Sequence, residues 1–131
     1  MKPAVLEAIE QLKGQYPDST FDVREDGQGG AHVLIDPVDL GQIYTEGTRG
    51  TWISFHIPFQ VPFADVYPHH VRRDLARADG RPLGEAMSHA EAPVFGRLSV
   101  QLSRRSNHRD PNHETVLHKL LKVIEWASTR P

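Results

Sequence analysis

Apolar residues recur along this chain at two different periods. From Pro3 to Gln15, and on into Tyr16, the residues Val5, Ile9, Leu12 and Tyr16 fall on one helical face, with Glu7, Glu10 and Lys13 elsewhere. Pro3 suits a first helical turn, and Tyr16-Pro17-Asp18 ends the pattern. From Thr51 to Phe59 the period becomes two. Ile53, Phe55, Ile57 and Phe59 alternate with Trp52, Ser54, His56 and Pro58, which predicts a strand that Pro58 ends or places at an edge. Shorter strands are predicted over Thr20 to Arg24 and Ala31 to Ile35, joined as a hairpin by the turn from Asp26 to Gly30. Pro37 to Thr48 and Ala78 to Glu85 read as loops. Gln60 to Val71 reads as an extended loop leading into a short strand near His70 to Leu75.

Leu98, Val100 and Leu102 alternate with Ser99, Gln101 and Ser103 in another extended segment. Ser103 to Asn107 carries no apolar residue. A second helix is then predicted to open at Asp110-Pro111, with Asn112 as the alternative cap. Leu117, Leu120, Leu121, Ile124 and Ala127 form its apolar stripe, flanked by Val116 and Val123. Trp52 and Trp126 read as packing residues. This order, helix, three or four antiparallel strands, long loops, helix, defines an α+β layout.

Composition narrows the picture. At 131 residues the chain suits one domain spanning 1–131. A net charge of −2 gives no general attraction to nucleic acid or anionic lipid, and no apolar run has bilayer-crossing length. The first residues mix acidic and apolar side chains, unlike a secretion signal, so a cytoplasmic setting is the expectation. With no cysteine, the chain has no disulfide, thiolate metal site or thiol nucleophile. The eight histidines show neither His-Glu-x-x-His nor another common ligand spacing. No metal or cofactor is therefore expected.

The chemistry concentrates between His89 and Thr115. His89-Ala90-Glu91 precedes Gly96-Arg97-Leu98-Ser99-Val100, a polar loop with Arg104 and Arg105 follows, and Asp110-Pro111 comes next. Earlier, Pro62-Phe63 and Tyr67-Pro68 follow the best strand. In element order and in these motifs the chain resembles the ubiquitin-conjugating enzymes, as a short, divergent member of the bacterial branch. His89-Ala90-Glu91 falls where the family has His-Pro-Asn, and Leu98-Ser99-Val100 where it has Ile-Cys-Leu. The resemblance implies an N-terminal helix, a four-stranded antiparallel meander and a C-terminal helix.

The resemblance also implies a carrier of a ubiquitin-like protein, with an adenylating activating enzyme and a target protein as further partners. Since cysteine is absent, Ser99 would take the modifier's C-terminus as an oxyester, with Ser106 as the rival nucleophile. A serine needs a base within hydrogen-bond reach, for which His89 and His108 are candidates, with Glu91 to orient one of them. The oxyanion would be held by backbone N–H groups, Asn107, Arg104 or Arg105. Arg104, Arg105 and Glu91 are candidate partner-binding residues, the arginines because guanidinium forks grip carboxylates at two points. The alternative is a non-catalytic variant of the same fold that binds the modifier or scaffolds its activating enzyme. Geometry discriminates: a working serine lies in an accessible groove, whereas a scaffold's serine is satisfied by its strand neighbours. A small metal-dependent hydrolase, with three histidine or carboxylate groups converging, is the third expectation.

Overall fold

The computed structural model describes residues 1–106 and 109–131, so Asn107 and His108 lie outside the described residues. Helix α1 (Pro3–Gln15) is followed by strands β1 (Thr20–Glu25), β2 (Ala31–Asp39), β3 (Gly50–Ile57), β4 (His69–Arg72), β5 (Met87–His89) and β6 (Ser99–Leu102), then helix α2 (Val116–Ser128). The strands form one antiparallel sheet in the order β1-β2-β3-β4-β6-β5. The α+β class is as expected, but the sheet has six strands where four were expected. β5 is three residues long, too short to display a period of two. β6 falls in the segment expected to be extended, and it pairs with β4 on one side and β5 on the other, which adds strands beyond the four-stranded meander.

Strand alternation gives the sheet two unlike faces. Val33, Ile35, Ile53, Phe55, Val71, Val100 and Leu102 point to one side. There they form a single core with Val5, Ile9 and Leu12 of α1 and Val116, Leu120 and Val123 of α2. The other face carries His32, Ser54, His56, His70, Ser99 and Gln101. β2 continues past Pro37, where the sequence pattern ends it at Ile35. The register against β3 shifts between Ile35 and Val38, so the proline sits at an irregularity that needs no ladder N–H from it.

Helix α2 opens at Val116, later than the expected Asp110. The Asp110 carboxylate accepts from Asn112 N, and its carbonyl accepts from His113 N and Glu114 N, closing a separate turn. Thr115 is the cap, its Oγ1 accepting from His118 N at 3.1 Å. The buried stripe is accordingly Val116, Lys119, Leu120, Val123 and Ala127, while Leu117, Leu121 and Ile124 are only partly covered. Thr115→Ala should lower stability by about 1 kcal/mol, the usual worth of a cap. A thermal melt reads this directly, and an unchanged midpoint would show that the preceding turn alone fixes the helix start.

Candidate functional site

Ser99 opens β6 and is fully buried on the face away from the core. Its Oγ lies 2.9 Å from Nδ1 of His70 on the neighbouring strand β4. Burial holds the His70 pKa below the ordinary histidine value, so the ring is neutral at pH 7 and either atom of the pair can donate. His89, one of the two candidate bases, ends β5 opposite Val100 and is exposed, as is Glu91 two residues on. No hydrogen bond among the described residues joins either side chain to Ser99. The histidine within hydrogen-bond distance of Ser99 is His70, from the neighbouring strand.

Residues 90–98 double back over this face. Ala90 N donates to Ser99 O at 3.0 Å, and Val94 and Arg97 exchange backbone hydrogen bonds around a tight turn. Phe95 and Gly96 at that turn have φ of 50° and 69°. The left-handed region is easy for glycine and strained for phenylalanine. Two stacked arginines clamp the strap: Arg24 lies 4.5 Å from the centre of the Phe95 ring, and Arg97 5.6 Å from that of Trp52. Between strap and sheet lies a cleft of about 420 Å³ lined by His32, Ser54, His56, His70, Tyr67 and Phe95, among others. The rings of His32 and His56 stack at 4.6 Å between centroids. The Asp26 carboxylate accepts from His56 at 2.7 Å and from Gln28 N and Gly30 N. The His56 bond, then those from the backbone, hold the Asp26 pKa down at about 2.

Ser106 sits at the other end of the sheet's last strands in a polar network. Its N–H donates to Asp65, its Oγ donates to Glu114 and accepts from Lys119 Nζ at 2.8 Å. Lys119 is buried, and its Nζ lies 3.1 Å from both oxygens of Asp65. Burial pulls the Lys119 pKa below the ordinary value, opposed by Asp65. Glu114 loses against burial but gains more from Lys122 and Arg109, so its carboxyl stays below the usual range. Ser106 is therefore held on both sides by charged groups, and its ammonium neighbour is itself engaged by a carboxylate. Arg104 and Arg105 are exposed, one over the Trp126 ring and the other over Tyr67. The expected roles of Asn107 and His108 fall outside the described residues.

Three participants escaped the sequence reading: His70, Lys119 and Arg130, which also stacks on Trp126. A signal existed for Lys119, which is three residues after Val116 and one before Leu120, on the stripe that faces inward. Among the described residues no group of three histidine, cysteine, aspartate or glutamate side chains is placed to hold a metal ion. No helix among them is long and apolar enough to cross a membrane. Comparison with family models, curated proteins and solved structures finds no match to this chain.

Proposed function

We propose that this domain is a non-catalytic binding module of the ubiquitin-conjugating type, one that holds a ubiquitin-like protein or its activating enzyme without accepting the modifier covalently. The observation that carries this reading is the closure of Ser99. Its hydroxyl is buried, bonded to a strand neighbour and covered by a clamped strap, as a structural serine would be. An acyl group has no approach to that oxygen in this arrangement. Ser106 is likewise engaged by Lys119 and Glu114. The residues expected to meet a partner, Arg104, Arg105 and Glu91, all keep exposed side chains.

A second reading keeps the carrier chemistry, and the 2.9 Å contact between Ser99 and His70 favours it. If the strap moved aside, His70 would take the Ser99 proton as the oxygen attacks the activated C-terminal carbonyl, and the activating enzyme's thiol would leave.

Intact mass spectrometry separates the two. The protein is incubated with ATP, an adenylating activating enzyme and a candidate ubiquitin-like protein, and co-elution is followed in parallel. The module reading expects a stable complex and no added mass. A one-modifier adduct that hydroxylamine removes and Ser99→Ala abolishes would replace it with the carrier reading. Neither complex nor adduct would count against both.

A further inference from the structure

Three arginines converge on a second cleft, distinct from the one under the strap. Arg104 and Arg105 follow β6, and Arg130 follows α2. With Tyr67, Glu85, Ser103 and Trp126 they line a space of about 620 Å³. All three guanidinium groups are stacked on aromatic rings. Arg105 lies 4.2 Å from the centre of Tyr67, and Arg130 and Arg104 lie 4.4 and 5.8 Å from that of Trp126. Stacking occupies the flat face of a guanidinium and leaves its N–H edges for an anion.

These arginines differ from most others in the chain. Arg24, Arg72, Arg77, Arg81 and Arg109 each pair with a neighbouring carboxylate. Among the described residues, no carboxylate forms an ion pair with Arg104, Arg105 or Arg130. Glu85 is the one acidic side chain lining the cleft, and Pro131 with its carboxylate lines it too, so three guanidinium groups still leave positive charge in excess. Holding three like charges around one space is unfavourable until an anion enters.

The backbone also makes room for this arrangement. Gly84 has φ of +95°, and a Cβ there would stand 2.9 Å from the Arg130 guanidinium. Ala86, which lines the cleft, is held at φ of 63°, a strained value for a residue with a Cβ, while its carbonyl accepts from Ser103 N at 2.8 Å. Such strain persists where the surroundings enforce it, and it clusters at ligand sites.

We propose that this cleft is a binding site for a phosphate monoester, its terminal phosphate held by Arg104, Arg105 and Arg130 and its organic part lying along Tyr67 and Trp126. A phosphate monoester carries nearly two negative charges at neutral pH and offers three terminal oxygens, enough for three forks. A carboxylate has one charge and two oxygens and would leave a fork unmatched. The Ser103 hydroxyl, which lines the cleft and accepts from Gln101 Nε2 at 3.1 Å, would supply a further donor. This inference does not depend on the module reading, since it rests on the residues of this cleft and not on Ser99.

The test is calorimetric titration of the whole chain with phenyl phosphate, inorganic phosphate and benzoate at 0.15 M salt. Phenyl phosphate should bind saturably and more tightly than either of the others. Arg105→Gln and Arg130→Gln should each weaken it about tenfold or more while leaving the urea midpoint in place. Gly84→Ala, which crowds Arg130, should weaken it as well. Absence of saturable phenyl phosphate binding would overturn the proposal, as would equal affinity for inorganic phosphate or benzoate. Unchanged affinity in both arginine variants would do the same.

Discussion

His69→Leu should make the protein more stable and remove much of its sensitivity to acid. His69 lies in β4 on the core side, fully buried beside Phe55, with ring centroids 5.1 Å apart. Neither ring nitrogen has a hydrogen-bond partner among the described residues. Burying unpartnered polar atoms costs about 1–3 kcal/mol, and leucine fills a similar volume without that cost. Burial, reinforced by the nearby Lys119 charge, pushes the His69 pKa down to about 3. An unfolded histidine takes up its proton near pH 6.5, whereas the folded one waits until pH has fallen to about 3. Between those values the unfolded state binds more protons, so folding stability drops as pH falls. By pH 3 this one residue would have removed on the order of 4 kcal/mol. Urea unfolding at pH 7.5 and pH 5 measures both effects. The variant should have the higher midpoint at each pH and the smaller fall between them. An equal fall in both proteins would place the acid sensitivity elsewhere, with His32 and His70 next in line because burial lowers them too.

The residues that were legible in the sequence are those whose spacing alone decides their environment. Val5, Ile9 and Leu12 of α1, and Ile53, Phe55 and Ile57 of β3, face the core as their periods predict. Phe59 does not, because β3 ends at Ile57 and leaves it 42% exposed. The last strands were harder to read. β5 holds only Met87, Ser88 and His89, and β6 is stabilised by pairing with β4, a contact that no local window contains. The candidate site follows the same division. Ser99 was placed by a motif, but its partner came from strand pairing: β4 sets Arg72 against Ser99 and His70 against Gln101, which brings His70 Nδ1 diagonally to the serine. His89, nearer in sequence, is turned away at the end of the edge strand. Arg104 and Arg105 were noticed for their charge. Arg130 joins them only because α2 carries Trp126 back to the same place.

Lys119→Met should cost about 3–5 kcal/mol, more than an ordinary core substitution of similar size, because it breaks a buried ion pair by removing one member. The Lys119 side chain is 3% exposed and that of Asp65 20%. Met fills the space of the lysine stem, so the loss comes from the charge left behind on Asp65 and from the Ser106 hydroxyl that Lys119 Nζ supports. Arg109 is the nearest replacement, but its Nε lies 3.9 Å from Asp65 and already holds Glu114 at 2.9 Å. Adding Asp65→Asn should restore most of the loss, since the double variant buries no unpaired charge. The coupling between the two sites, read from a double-mutant cycle in urea, should be a few kcal/mol. A single variant within 1 kcal/mol of the parent would mean that water or Arg109 takes over the carboxylate, and the pair would then be no more than a surface contact. The same cycle bears on the site. Asp65 comes from the β3–β4 connection, Ser106 from the loop after β6 and Lys119 from α2, so the pair pins the arginine loop to the body of the fold. Losing it should loosen Arg104 and Arg105 from their rings and weaken anion binding together with stability.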